Sequence, residues 1–271
     1  IDPTYSGLSS GPIDVDGDGK MDLLVPHNGK WHWLRHVSGN SFSYSDTGVN
    51  AIVNGSFLNS NYEMVTIPAH ATVADVNGDG YADLVTEYMG SVMVNLHNAD
   101  GSAGFSTQTQ GGYQAPQTGT TFFGLRGGSA RRPLDVDGDG RHEVILQAGI
   151  TERVLYSTST MSTVSFQVGE THTISSSSQG SIPFNMNADR CSDLLIPYNG
   201  NLHVDARSHC GLVNSSSVSV GPNAMGFSSA TSLIPFDWNA DGFEDVLYPL
   251  SGEWRVATSR ASHLEGAGLA G

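Results

Sequence analysis

One acidic motif recurs along the chain and places oxygen-bearing side chains at alternate positions. The clear copies are DVDGDGKMDLLVP at residues 14–26, DVNGDGYADLVTE at 75–87, DVDGDGRHEVILQ at 135–147 and DWNADGFEDVLYP at 237–249, and a weaker copy is NMNADRCSDLLIP at 185–197. Ca²⁺ prefers six to eight oxygen ligands, and a short loop with alternate carboxylates can aim them at one centre. The motif therefore predicts a calcium-binding loop in each clear copy.

The predicted ligands are the side chains at the first, third, fifth and ninth positions and the main-chain carbonyl at the seventh. In the clear copies they are Asp14, Asp16, Asp18, Lys20 and Asp22; Asp75, Asn77, Asp79, Tyr81 and Asp83; Asp135, Asp137, Asp139, Arg141 and Glu143; and Asp237, Asn239, Asp241, Phe243 and Asp245. The weak set is Asn185, Asn187, Asp189, Cys191 and Asp193. In the weak copy Asn replaces two carboxylates and Arg190 replaces a glycine. We expect about four Ca²⁺ ions, with a weak fifth site.

Two other interpretations of the motif fit less well. An EF-hand needs a bidentate Glu at the twelfth position, where this chain has Val25, Leu146 and Tyr248, and Glu87 is displaced by one residue. Isolated Asp-Gly clusters usually mark turns, but four near-copies with oxygens at the same offsets favour metal ligands. More than half of the 27 acidic residues occupy ligand positions. Ion binding and folding are therefore expected to be coupled.

The segments around each motif predict short antiparallel strands. The motif runs into an apolar strand such as residues 22–25, then a tight turn, then a second strand such as 30–36, 91–96 or 253–257. Asn-Gly pairs at 28–29 and 199–200 suit two-residue hairpins, because both central residues need positive φ. Successive motifs start 50 to 61 residues apart, a period that suits a four-stranded blade.

This arrangement predicts an all-β fold, a β-propeller of four-stranded antiparallel blades in a single domain over residues 1–271. Its five repeat units cover approximately 8–70, 71–130, 131–181, 182–233 and 234–271.

The aromatic residues and cysteines leave alternatives open. Trp31 and Trp33 share one face of their predicted strand, which favours a position in the core. The alternative is sugar binding, because these two residues flank hairpin turns, as do Trp254, Tyr88 and Tyr198, and exposed rings there could stack on sugars. Trp238 takes the place that valine has in the other clear motifs and is expected in the core. Cys191 and Cys210 flank a predicted hairpin, and a disulfide and two buried thiols are equal alternatives there. A disulfide would favour an oxidising compartment.

Composition and motifs exclude several function classes. The chain has 12 Lys+Arg against 27 Asp+Glu and a formal net charge of -15, which argues against nucleic acid and anionic membranes as partners. It has no apolar run long enough for a transmembrane helix. No nucleophile elbow, zinc-binding helix or free carboxylate pair is present, and His70, His142 and His203 are expected to have no catalytic role. We expect no enzyme activity.

The repeated D-x-D/N-x-D-G-x-x-D followed by Leu-Leu-Val resembles the FG-GAP or VCBS repeat of integrin-α-like β-propellers. The resemblance extends through all five units and departs at Asn185, Asn187 and Arg190. It implies that each loop joins the first two strands of a blade and holds a structural ion. Residues 29–34 and 37–42 also resemble blade sequences in bacterial RHS and Tc-toxin B-like proteins.

The number of blades departs from this family, whose propellers usually have seven. Five units imply either a smaller closed ring or an incomplete propeller. In a closed ring, residues 2–6 would supply the last strand of blade five, and residues 262–271 would be a tail of small residues.

These features predict a non-catalytic, calcium-stabilised propeller that is secreted or on the cell surface. As part of a larger bacterial RHS or Tc-toxin-like protein, it would be a scaffold or interaction module whose partners include other domains of a longer chain. The alternative is a stand-alone lectin-like or adhesion module that binds glycans or a protein partner.

Overall fold

The structure is a computed structural model that describes residues 14–58, 64–68, 70–88, 91–98, 104–106, 110–114, 124–125, 134–173, 181–198, 201–205, 210, 218–219, 233–250, 253–260 and 264–269. The regular secondary structure of these residues consists of β-strands. No helix long and apolar enough to cross a membrane occurs in this part of the chain. The predicted all-β fold is confirmed.

The strands form five sheets, each containing the strand that follows one acidic motif and here called sheets one to five, and one small hairpin. In every sheet consecutive strands are neighbours. Sheet one contains β1 (Leu23–His27), β2 (Lys30–Ser38) and β3 (Ser41–Asn50), and the small hairpin contains β4 (Ile52–Leu58) and β5 (Met64–Pro68). Sheet two contains β6 (His70–Ala74), β7 (Asp83–Tyr88), β8 (Ser91–Asn95) and β9 (Gln110–Gln114).

The three later sheets have four strands each. Sheet three contains β10 (Gly124–Leu125), β11 (Val144–Ala148), β12 (Thr151–Ser157) and β13 (Phe166–Thr173). Sheet four contains β14 (Ile182–Phe184), β15 (Asp193–Tyr198), β16 (Asn201–Asp205) and β17 (Val218–Ser219). Sheet five contains β18 (Ile234–Phe236), β19 (Asp245–Leu250), β20 (Glu253–Ser259) and β21 (Leu264–Leu269).

The chain divides into two compact units. The first is Ile1–Pro133, Arg141–Leu146 and Val154–Gly169, and the second is Leu134–Gly140, Gln147–Arg153 and Glu170–Gly271. The first unit contains sheets one and two, the second contains sheets four and five, and sheet three contributes residues to both.

Each unit has its own apolar core between successive sheets. In the first unit Trp31 and Trp33 of sheet one pack with Leu84 of sheet two, together with Val15 and Ala82 of the acidic motifs. A second cluster joins sheet two to the part of sheet three in the same unit. In the second unit, apolar residues of sheet four pack with those of sheet five. Sheets one, two and four therefore each pack one face against the sheet that follows.

The first hairpin forms as its sequence predicts. Asn28 and Gly29 have φ of 49° and 80°, and His27 pairs with Lys30 across the turn. Trp31 and Trp33 are each only 1% exposed, which confirms their assignment to the core. The other predicted Asn-Gly turn, at 199–200, lies outside the described residues.

The first wrong expectation about the end of the chain concerns its predicted tail. Residues 264–269 are not a tail but form β21, which pairs antiparallel with β20 and completes sheet five. Strand pairing uses main-chain groups, so a segment rich in small residues can supply it. Residues 2–6, the predicted closing strand, lie outside the described residues.

Trp238 is the second error, because its side chain is 46% exposed rather than in the core. Its counterparts Val15, Val76 and Val136 are fully buried. In sheets one and two this position packs against the following sheet, whereas the Trp238 ring contacts Phe236 of its own sheet, with ring centroids 5.6 Å apart.

Candidate metal centres in the acidic loops

The five acidic motifs form loops of nine residues, here called loops one to five. They span residues 14–22, 75–83, 135–143, 185–193 and 237–245, and their residues are numbered as positions one to nine. Loops two to five join the first and second strands of sheets two to five. This is the placement that the repeat resemblance implies.

The loop backbone is left-handed at position four in all five copies. Glycine occupies this position in loops one to three, whereas Ala188 and Ala240 adopt φ of 56° and 59° in loops four and five. Position six is also left-handed in the loops where it is glycine, with φ between 83° and 92°, and Arg190 does not share this conformation. The two left-handed residues turn successive main-chain N–H groups toward the acidic side chains.

The carboxylate at position one accepts hydrogen bonds from these N–H groups. In loop one Asp14 accepts from Asp18 at 3.1 Å and Gly19 at 2.8 Å. Asp75 accepts from Gly78 at 2.7 Å, Asp79 at 3.1 Å and Gly80 at 2.8 Å. The position-one carboxylates of loops three and five are held in the same way.

Positions three and five continue the pattern. The N–H of position five donates to the side-chain oxygen of position three in all five loops, at 2.9–3.3 Å. The N–H of position seven donates to the carboxylate of position five in loops one, two, four and five. The side chains at positions one, three and five are thus fixed on one concave turn.

The carboxylate at position nine has a different environment. Asp22, Asp83, Asp193 and Asp245 are fully buried. Asp22 accepts from the N–H of Val15 at 3.3 Å, the N–H of His36 at 2.7 Å and the indole of Trp33 at 3.0 Å. Asp83 and Asp245 each accept from position two and from a residue 14 positions further along the chain. Position nine therefore ties the loop to its own sheet.

Burial also affects the acidity of these loops. Burial raises the pKa of Asp83 to about 7, although the hydrogen bonds from the main-chain N–H groups of His97 and Val76 act to lower this pKa. It also raises the pKa of Asp22 and of Asp75. A nearby cation would favour the charged form of such carboxylates.

Loop one brings three predicted ligands together. The carboxylate oxygens of Asp14, Asp16 and Asp18 lie within 4.8 Å of one another. Oxygen atoms at this spacing are the donor set that Ca²⁺ prefers, so the residues present fit the ion. Asp22 is not part of this group of atoms, and its role as a ligand remains a prediction.

Basic side chains also contact loop one. The Lys20 ammonium lies 2.7 Å from Asp18, and Arg35 from β2 pairs with Asp16 and, at 3.5 Å, with Asp18. The hydrogen bond from Lys20 lowers the pKa of Asp18. Both cations would have to move or share these oxygens when a metal binds.

The other loops present part of the predicted ligand sets. Asn77, Asn187 and Asn239 each donate through their amide nitrogen to the carboxylate at position five. In loop three, Asp135 and Asp137 belong to the second unit, whereas Arg141 and the buried Glu143 belong to the first. The carbonyl ligands predicted at Lys20, Tyr81, Arg141, Cys191 and Phe243 remain predictions.

Loop four departs most from the pattern. The Asn185 amide donates to the carbonyl of Asp189 at 2.8 Å, where the other loops have a carboxylate that accepts from position six. Cys191, at position seven, forms a disulfide with Cys210, with their Cα atoms 5.4 Å apart. Its sulfur is therefore committed, and only its carbonyl could bind a metal.

Position eight is a structural residue that sequence reasoning missed. Its N–H donates to a carbonyl at position one or two of the preceding loop: Ala82 to Val15, His142 to Asp75, Ser192 to Asp135 and Glu244 to Asn185. Three of these side chains also accept from the position-one N–H of that loop: His142, Ser192 and Glu244. We call these bonds the loop clasp. Position eight occurs at the same offset in every motif, but its residue type varies, so the sequence alone does not indicate this role.

Comparison with known proteins agrees with the repeat pattern. Residues 14–86 match the FG-GAP-like repeat family. The resemblance to FG-GAP repeats inferred from the acidic motifs is thereby confirmed for these residues. A search of curated proteins gave no match.

Two solved structures share the fold, each at 14% sequence identity. One is described as the structural basis of specific recognition of non-reducing terminal N-acetylglucosamine by an Agrocybe aegerita lectin. It has a TM-score of 0.66, and the match covers 95% of this chain and 64% of the lectin chain. The other is a Photorhabdus luminescens Tc holotoxin pore, with a TM-score of 0.52 and coverage of 96% of this chain and 11% of that chain. This chain thus spans less than two thirds of either relative.

Proposed function

We propose that this chain is a calcium-stabilised β-propeller module that acts as a non-catalytic scaffold in a longer secreted or surface protein. The observation that carries the proposal is the loop clasp, which links neighbouring loops in each unit. It makes the acidic loops part of the contact between sheets. A metal ion bound in a loop would therefore stiffen the loop and its neighbour together.

Calcium is the ion that the donor chemistry favours. In loop one, Asp14, Asp16 and Asp18 would hold it, and the corresponding side chains of loops two, three and five would hold three more ions. Bound Ca²⁺ supplies positive charge among carboxylates that otherwise repel one another. The chain's own residues supply the fixed geometry, because main-chain N–H groups already orient the side chains at positions one, three and five.

Three observations support the setting of a larger extracellular protein. The chain matches only 11% of the Tc holotoxin chain, and FG-GAP-like repeat sequence covers its first part. The disulfide between Cys191 and Cys210 suits an oxidising compartment. Together they favour a module of an RHS or Tc-toxin-like protein.

An antibody raised against the chain tests this setting by blotting of its natural source. The proposal predicts a band far above 28.6 kDa, the mass of this chain. A dominant band near 28.6 kDa in freshly lysed cells and in the medium, with protease inhibitors present, would contradict it.

Glycan binding is the second candidate, favoured by the lectin whose fold this chain shares. The ring of Trp254, which follows a hairpin, is 47% exposed and available for stacking on a sugar. Calcium-dependent retention of the chain on an N-acetylglucosamine matrix would support glycan binding, provided that Trp254→Ala abolishes the retention and the control Ile150→Ala preserves it. Equal elution with and without calcium would count against it.

A further inference from the structure

Loop four brings two sulfur atoms and a carboxylate together. The Sγ atoms of Cys191 and Cys210 and a carboxylate oxygen of Asp189 lie within 4.8 Å of one another. In the structure the two sulfurs form a disulfide. The chain has no other cysteine, so no other acidic loop has sulfur beside its carboxylates. Loop four therefore has a donor set that the calcium assignment does not use.

The carboxylate of this group is fixed by its own loop. The main-chain N–H of Cys191 donates to Oδ1 of Asp189 at 2.8 Å, and the amide of Asn187 donates to Oδ2 at 2.9 Å. A carboxylate has about four lone-pair sites, so it can bind a metal in addition to these two donors. Neither hydrogen bond involves a sulfur atom, and both are therefore independent of the disulfide.

The two sulfur atoms lie against the main chain of loop three. A Cβ on Gly138 would be 2.6 Å from Sγ of Cys210 and 3.3 Å from Sγ of Cys191, so glycine provides the space for them. The residue after Cys191 is Ser192, whose N–H and hydroxyl form the loop clasp with Asp135 of loop three. All five residues belong to the second unit. The clasp therefore holds the backbone beside Cys191 without help from the disulfide.

Reduction of the disulfide frees both sulfurs as metal ligands. Two molecules of a thiol reductant supply two electrons and two protons, the S–S bond breaks, and the reductant leaves as its own disulfide. A divalent ion then displaces the two thiol protons and forms a bond to each thiolate. Cys191 is 1% exposed, whereas Cys210 is only half-buried, so the reductant and the metal reach the pair from the side of Cys210.

We propose that the reduced form of loop four binds Zn²⁺ through Cys191, Cys210 and Asp189. Thiolates and carboxylates are zinc ligands, and three of them leave the fourth tetrahedral position to water. Calcium fits this loop poorly, because it prefers hard oxygen ligands and Asp189 is the only carboxylate left at positions one, three and five. The metal would replace the disulfide as the crosslink between residues 191 and 210 while the chain is in a reducing compartment.

Cadmium is the spectroscopic probe for this site. The full chain is reduced with a phosphine, transferred to oxygen-free buffer with saturating calcium to occupy the acidic loops, and titrated with Cd²⁺. Thiolate ligation gives a sulfur-to-cadmium charge-transfer absorption that carboxylates alone do not give. We predict about one such Cd²⁺ per reduced chain, displaced by Zn²⁺, and no such absorption for the oxidised chain. A reduced chain without this absorption would overturn the proposal.

Three variants test the ligand set. Cys210→Ser should abolish the charge-transfer absorption of one cadmium bound to two thiolates. Asp189→Asn keeps both sulfurs and should weaken Cd²⁺ binding at least about tenfold, since even a residue that only supports a metal ligand commonly contributes this much. Asp46→Asn makes the same change at an exposed carboxylate of sheet one and should bind as wild type. Equal affinities of Asp189→Asn and Asp46→Asn would exclude the carboxylate from the site and overturn the proposed ligand set.

Folding provides the second measurement. Zn²⁺ should raise the melting temperature of the reduced chain, or restore its native circular dichroism if reduction alone unfolds it. Zn²⁺ should not change the melting temperature of the Cys191→Ala/Cys210→Ala variant in the same calcium buffer. In concentrated urea Cd²⁺ binding should weaken at least about tenfold, because the folded loop no longer holds the ligands together. Equal affinity in urea would mean that two flexible cysteines bind the metal, and would overturn a site built by loop four.

Discussion

Loops one and four share several hydrogen bonds but differ in chemistry. In both, position five donates to the side chain of position three, position seven donates to position five, and a fully buried Asp at position nine accepts from position two. Loop one then holds three carboxylates within 4.8 Å. Loop four has Asn at positions one and three and a disulfide at position seven.

This difference indicates that the shape of a loop and its charge are separable. Shape depends on the buried position nine and on turns that Asn can make as well as Asp. Charge depends on positions one, three and five, which loop four has largely lost. In loop four a disulfide provides the stabilisation that we assign to a metal ion in loop one.

The largest expected effect is the loss of position nine. In excess chelator, Asp22→Ala should lower the free energy of unfolding by at least about 3 kcal/mol, because it leaves two buried donors and one partly buried donor without an acceptor. Asp193→Ala should also be strongly destabilising, since loop four shares this feature. Urea unfolding measures both. Asp16→Ala, a change at a less buried position in loop one, is the control, and an equal cost for Asp16 and Asp22 would contradict the separation of shape from charge.

Loss of the disulfide comes next. The double variant Cys191→Ala/Cys210→Ala should be less stable by about 3 kcal/mol, as expected for a crosslink across 19 residues. We expect the same loss with calcium and with chelator, because our proposal places no calcium ion in loop four. A loss that disappears in saturating calcium would show that loop four is also held by metal.

A glycine of loop three tests how closely the disulfide packs. A Cβ on Gly138 would lie 2.6 Å from Sγ of Cys210 and 3.3 Å from Sγ of Cys191, whereas one on Gly140 would meet nothing within 4 Å. Both residues are left-handed, and Ala188 and Ala240 show that position four accepts alanine. Gly138→Ala should therefore cost about 2 kcal/mol from overpacking, beyond the cost of left-handed alanine.

The disulfide-free background provides the check on Gly138. There the extra cost of Gly138→Ala should shrink toward the cost of Gly140→Ala, in a double-mutant cycle measured by urea unfolding, because only the contact with the Cβ of residue 210 at 3.1 Å remains. An unchanged cost would mean that the glycine is needed for its backbone conformation rather than for the sulfur contact.

The smallest expected effect concerns the cation beside loop one. Arg35→Gln should strengthen calcium binding in loop one about threefold, because the exposed ion pairs with Asp16 and Asp18 need not be broken. Isothermal titration calorimetry measures the change. Arg255→Gln, which removes a pair with Glu253 outside the loops, should leave calcium affinity unchanged, and equal effects of the two variants would assign the change to net charge alone.

Local features were predictable from the sequence. The Asn28-Gly29 turn, the burial of Trp31 and Trp33 and the position of each acidic loop before a strand follow from backbone preference and alternation, which act over a few residues. The left-handed glycines at positions four and six belong to the same class, since their spacing is part of the motif.

Features that depend on neighbouring sheets were not predictable. Trp238 has the sequence context of a core residue, but its exposure depends on whether a following sheet covers it. The loop clasp joins residues 57 to 67 positions apart through varied side chains. Arg35 approaches Asp16 and Asp18 from β2, and nothing in the acidic motif indicates this contact.

Calcium itself tests the central claim most directly. Bound calcium is measured by mass spectrometry after dialysis against micromolar Ca²⁺, together with the melting temperature in calcium and in chelator. We predict about four ions per chain and a clear fall in melting temperature on chelation. A chain that retains no calcium and melts at the same temperature in both buffers would contradict the assignment of the acidic loops as metal centres.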